Sequence, residues 1–68
     1  MNKFKDILKE LRLDRGLTQV DLSNATGTSQ GAISAWELGD RTPYMEALIK
    51  LAKYFNVSID YLVGIADE

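Results

Sequence analysis

Between Gln19 and Trp36 the sequence QVDLSNATGTSQGAISAW sets two short helix-forming runs on either side of Gly27. Each is too short to be stable alone in water, so the rest of the chain must supply a core for both. The second run has two unlike faces. Ile33 and Trp36 form one that demands burial, whereas Gln30, Gly31, Ser34 and Ala35 form another, small or amide-bearing in place of the long charged side chains that usually solubilise an exposed helix. A surface of that composition is suited to contact with a partner.

The flanking sequence supplies the supports. Over residues 3–15, Phe4, Ile7, Leu8 and Leu11 recur at the i, i+3, i+4, i+7 spacing of an amphipathic helix. Gly16 can end it in a left-handed conformation, with Leu17 folding back as the accompanying apolar contact. Thr18 and Asp21 have the spacing of a capping box, so a second helix is predicted to start there, with Leu22 and Ala25 inward and Ser23 where a crossing helix packs. Asn24, Thr26 and Gly27 close it, and Gly27-Thr28 is the turn. Ser29 then caps a third helix that runs to about Leu38 and stops at Gly39. The loop Gly39 to Pro43 follows, with Pro43 suited to the first position of a fourth helix. Met45, Leu48, Leu51, Ala52 and Phe55 give that helix its buried stripe. Asn56 ends it, Ser58 caps a short fifth helix with Ile59 and Leu62 inward, and Gly64 terminates the fifth. With no strand pattern or repeat, the predicted architecture is a compact all-α domain over residues 1–68, built of five short helices.

Composition narrows the chemistry. A chain of 68 residues with 46% hydrophobic residues is globular, but it buries only about 60% of its unfolded surface, so its core must be economical. There is no cysteine and no histidine, which removes disulfides, thiol nucleophiles, most metal sites and most general-base chemistry. The scattered carboxylates form no catalytic constellation, and GTSQG lacks the lysine of a P-loop, so an enzyme is not expected and no cofactor is implied. MNKFKDILKE alternates charged with apolar residues, unlike a signal peptide, and no run of about 18 apolar residues exists for a membrane span. The expected location is cytoplasmic. The ending GIADE is compatible with a complete small regulator and with the amino-terminal domain of a longer one.

Two short helices joined by a glycine-containing turn describe a helix-turn-helix unit, whose second helix enters the DNA major groove. LTQVDLSNATGTSQGAISAWELG, preceded by LRLDRG and followed by TPYMEALIKLAKYFNVSIDYLVG, resembles the Cro and lambda-repressor-like helix-turn-helix family of bacterial and phage regulators, the xenobiotic-response-element type. The likeness spans roughly residues 4–64. It implies that Gln19 lies against a DNA phosphate, that Gly27 is the turn glycine, and that Ile33 and Trp36 anchor the recognition helix. It further implies an ion pair between Arg12 and Glu37. Ser29, Gln30, Gly31, Ser34 and Ala35 match positions from which family members reach phosphate or base edges.

The side chains themselves qualify these roles. An amide such as that of Gln30 can bond adenine N6 and N7 together, and otherwise it is a solvated surface glutamine. The Ser34 hydroxyl can reach a base, a phosphate, or only its own helix's carbonyl. Gly31 and Ala35 depart from the family, which commonly places larger polar side chains there; they permit close approach, with Ala35 able to touch a thymine methyl.

Charge is the difficulty for any nucleic-acid reading. The net charge is −2, and from Gly16 to Thr42 the sole cation, Arg41, faces Asp21, Glu37 and Asp40. Phosphate contact is therefore assigned to Arg15, Thr18, Gln19, Ser29 and Arg41, aided by Lys3, Lys5 or Lys9 and by the amides that open helices two and three. Tyr44, Ile49, Tyr54, Val57, Tyr61, Val63 and Ile65 exceed what so small a core absorbs. In the resembled family the end of the fourth helix and the fifth form the two-fold contact, so the resemblance implies a weak homodimer through Tyr54, Val57 and Tyr61, spacing two recognition helices about 34 Å apart on a palindromic double-stranded operator. The overall expectation is a sequence-specific transcriptional regulator that excludes or recruits RNA polymerase. The alternative is a protein-binding module on the same fold, favoured by the acidic balance and by Gly31 and Ala35.

Overall fold

The computed structural model describes residues 2–67, and side chains from Lys3 onward; Met1 and Glu68 lie outside the described residues. Five helices and no strands occur among them: α1 Asn2–Asp14, α2 Gln19–Thr26, α3 Gln30–Leu38, α4 Met45–Phe55 and α5 Ile59–Leu62. None is long and apolar enough to cross a membrane. α3 packs on α1 and α2, α4 on α2 and α5, and α5 also touches α1.

Phe4 and Leu8 from α1, Leu22, Ile33 and Trp36 from the central pair, the apolar face of α4, and Leu62 make one continuous core. Trp36 is its hub, meeting Phe4 and Tyr44 edge-on with ring centroids 6.4 Å away in each case. Such T-shaped contacts suit the ring quadrupole and add to simple area burial.

The structure differs from the sequence expectation at two boundaries and two inward positions. α1 ends at Asp14, leaving Arg15 in the turn. Ala25 is exposed, because the inward stripe of α2 is Gln19, Leu22, Ser23 and Thr26, a regular i, i+3, i+4, i+7 series in which three residues are polar. Met45 is 60% exposed and Ala47 takes the inward place, while Pro43 is buried ahead of the N-cap Tyr44 and not inside α4. The α4 stripe is therefore Ala47, Leu48, Leu51, Ala52 and Phe55.

Helix ends set the angle between α2 and α3. α1, α3 and α4 finish with paired reverse bonds, for example Leu17 N to Arg12 O at 3.1 Å with Gly16 N to Leu13 O at 2.9 Å. α2 keeps only Gly27 N to Ser23 O, 2.9 Å, with Gly27 left-handed at φ 76°. The chain is then free to leave in a new direction, and Thr28 turns inward. Thr28 is buried, its hydroxyl 2.7 Å from that of Thr26, which donates to Leu22 O at 2.8 Å; Ser23 donates to Thr28 O. These hydroxyls satisfy the backbone of a buried turn and hold α3 at a fixed angle to α2.

Candidate nucleic-acid interface

The outer face of α3 begins at Ser29, whose hydroxyl oxygen accepts the amide of Ala32 at 3.0 Å. Its hydroxyl proton remains free for an acceptor outside the chain. Gln30 and Gly31 are exposed, and Ser34 and Ala35 are half-buried beside them. Ser34 makes no hydrogen bond among the described residues, so its hydroxyl is not spent on its own helix.

Behind this face lies a connected set of polar bonds. Arg12, buried at 8% exposure, donates from Nε to Glu37 Oε2 at 2.7 Å and from Nη2 to Glu37 Oε1 at 2.9 Å. Its Nη1 donates to Leu17 O at 2.7 Å. This fastens the end of α1 to α3, and the guanidinium pKa is raised above its ordinary value by the Glu37 hydrogen bond, against a smaller desolvation effect. Glu37 Oε1 also accepts from Gln19 Nε2 at 3.2 Å, and Gln19 Oε1 accepts from Gln30 Nε2 at 2.9 Å.

The direction of each bond follows from chemistry. A carboxylate already paired with a guanidinium can only accept, so Gln19 must turn its NH2 to Glu37 and its oxygen to Gln30. Gln30 must then spend one N–H on Gln19. It is left with one N–H and its carbonyl oxygen, neither with a partner among the described residues, on an exposed side chain. That pair matches the N7 acceptor and N6 donor of adenine and mismatches guanine, which offers two acceptors.

The residues expected at phosphates fall into different situations. Gln19 retains one N–H after the bonds above. Thr18 uses its hydroxyl oxygen to accept the Asp21 amide at 3.0 Å, while its own amide donates to Asp21 Oδ2 at 2.9 Å. The carboxylate of Asp21 is held below the usual range by the Thr18 amide first and the Thr18 side chain second. Thus α2 opens on a bound anion of its own, and its first amides are a poor phosphate site. α3 has no acidic residue in its first turn, and the amides of Gln30 and Gly31 have no acceptor.

Arg15 is engaged elsewhere, donating from Nη1 to Tyr54 O at 3.1 Å and from Nη2 to Phe55 O at 3.2 Å. Its Cζ lies 5.2 Å from the centroids of both the Tyr54 and Phe55 rings, a cation on the carbonyl end of α4. Arg41 is exposed and forms no ion pair among the described residues, beside a recess lined also by Lys5 and Thr42. Of the expected dimer residues, Tyr54 and Val57 are half-buried against the core. Tyr61 is half-buried too, and lines a shallow groove with Leu11, Val57 and Ser58.

Sequence reasoning placed Gln19 and Gln30 separately and missed the bond between them. Eleven residues apart across the turn, they open α2 and α3, and two amides at equivalent starts of crossing helices are the available signal. It also missed the Ser23, Thr26 and Thr28 hydroxyls that fix the turn.

Residues 8–62 match the helix-turn-helix family. The chain is 41% identical over 62 residues to the transcriptional activator BcrR of Enterococcus faecalis, covering 91% of this chain and 30% of that protein. It is 35% identical over 61 residues to the cryptic phage CTXphi transcriptional repressor RstR of Vibrio cholerae, covering 90% and 55%. An uncharacterised helix-turn-helix regulator of Methanocaldococcus jannaschii is 39% identical over 65 residues, 96% of this chain and 98% of that one. The chain thus spans between about a third and about half of several curated relatives. No solved structure matches significantly. With the fold, the turn and the matched span in agreement, the chain belongs to the Cro/lambda-repressor-like helix-turn-helix family.

Proposed function

We propose that this chain is a sequence-specific DNA-binding transcriptional regulator, with α3 in the major groove of a palindromic operator and two copies bound. The observation that carries the reading is the bond series Arg12–Glu37–Gln19–Gln30, which leaves a free donor and acceptor on Gln30. Adenine is the base that complements it. The free hydroxyl proton of Ser29, the remaining N–H of Gln19, the hydroxyl of Thr18 and the guanidinium of Arg41 supply phosphate contacts. Arg15 contributes only with the donors that α4 leaves it. Ser34 and Ala35 follow along the groove, one as a hydroxyl reader and one as an apolar contact.

Dimerisation through Tyr54, Val57 and Tyr61 spaces two α3 helices by about one DNA turn, ~34 Å. An operator lying across a promoter is then denied to RNA polymerase, and one lying beside it presents the bound protein for contact. The relatives named as an activator and as a repressor are in keeping with either arrangement.

Salt dependence tests DNA binding against the protein-binding alternative. Affinity for random duplex is expected to fall with rising salt along a shallow slope, since few cations engage, and Arg41→Ala should reduce that slope by about 1. A slope of zero for the wild type would support the protein-binding module instead.

A further inference from the structure

The last carbonyls of a helix have no partner within it, and at the end of α4 each of the final four finds one. Ala52 O accepts from Val57 N at 3.0 Å and Lys53 O from Asn56 N at 3.3 Å, the paired reverse bonds of a left-handed cap at Asn56. The other two, Tyr54 O and Phe55 O, accept from Nη1 and Nη2 of Arg15. A planar guanidinium can bridge two neighbouring acceptors in this way, whereas a lysine ammonium is a single point without the fork. The Tyr54 and Phe55 rings meet edge-on with centroids 5.1 Å apart, and the Arg15 guanidinium lies over both, so the orientation of the Tyr54 ring is held from two sides.

The turn that carries Arg15 is anchored twice. Three residues earlier, Arg12 holds Leu17 O and Glu37, from which the bonds to Gln19 and Gln30 follow. One short turn thus joins the start of α3 to the end of α4. The groove beside that end has one wall from α1, at Leu11, and another from Val57 and Tyr61. We infer that Arg15 is a positioning residue for the pairing of two copies: by closing the end of α4 it holds Tyr54 and Val57 in the orientation that meets a second copy. Through the turn from Arg12 to Leu17 it also sets that contact at a fixed angle to α3. This inference rests on the dimer reading above.

The test compares the wild type with Arg15→Lys, which keeps the charge without the fork, and with Arg15→Met, which removes both. Each is measured by sedimentation equilibrium without DNA. Each is also bound to duplexes carrying one or both half-sites of an operator that the wild type selects from a random pool. Both variants are expected to dissociate from the dimer at least about tenfold more readily, while affinity for a single half-site stays within about threefold. An unchanged dimer constant overturns the inference, and so does full pairing by Arg15→Lys, because charge alone would then suffice. Equal losses in pairing and in half-site affinity overturn it as well, since Arg15 would then serve the fold as a whole. A wild type that stays monomeric alone and gains nothing from a second half-site removes the dimer reading and this inference with it. Failure of the wild type to select any duplex removes the DNA-binding reading, and the sedimentation comparison then decides the role of Arg15 by itself.

Discussion

The amide of Gln30 is oriented by a carboxylate it never touches. Glu37 fixes Gln19, Gln19 fixes Gln30, and the starting point is the buried guanidinium of Arg12. Removing one partner of such a pair costs about 3–5 kcal/mol, whereas replacing both with apolar residues of similar size is often neutral or better. The double variant Arg12→Met, Glu37→Leu is therefore expected to unfold within about 1 kcal/mol of the wild type, measured by denaturant titration. It should nevertheless lose adenine-over-guanine discrimination at the Gln30 position, because Gln19 is no longer held. Retained discrimination would show that Gln30 reads its base without this support. The positions of Gln19 and Gln30 were legible in the sequence as the openings of two helices. Their polarity was not, since it depends on residue 37 being brought to residue 19 by the crossing of α2 and α3. Arg15 illustrates the same limit: a cation after the last turn of α1 looks available, yet α4 supplies two carbonyls and two rings from about forty positions further along the chain.

Helices were legible wherever local chemistry sets them. Thr18, Ser29 and Ser58 each cap the helix that follows, and Gly39 and Asn56 end theirs in left-handed conformations. What escaped was the facing of small or polar residues. Ala25 stands three residues after Leu22, an inward spacing, but the periodic face of α2 runs through Gln19, Ser23 and Thr26. Met45 fits the helical spacing of the stripe, yet it is exposed and Ala47 takes the inward place. The start of α2 carries a pH dependence. The folded pKa of Asp21 lies below its unfolded value, so its contribution to stability is present above the ordinary carboxylate range and is lost as the pH falls through the folded pKa. An NMR titration of the Thr18 amide is expected to show a midpoint below the usual aspartate range, and Asp21→Asn should abolish that transition. A midpoint at or above the ordinary value would mean that the capping box does not hold in solution.

Taken together, the helices make a body with extents of 27 × 23 × 21 Å. One copy is thus shorter than a turn of DNA, ~34 Å, and on the proposed reading would cover a single half-site. The net charge of −2 overstates the acidity around α3, because Glu37 is paired with Arg12, leaving Asp21 and Asp40 without an ion pair among the described residues. On the proposed reading, affinity comes from fit and from pairing of two copies more than from attraction to phosphate. Selection of duplexes from a random pool at fixed salt, run in parallel for the wild type and Gln30→Ala, tests these features at once. The expected outcome is a two-fold consensus with half-site centres about 10 base pairs apart, containing an adenine that becomes degenerate in Gln30→Ala while helicity is unchanged. The same consensus from both proteins, with that adenine still required, would contradict the reading of α3 set out above.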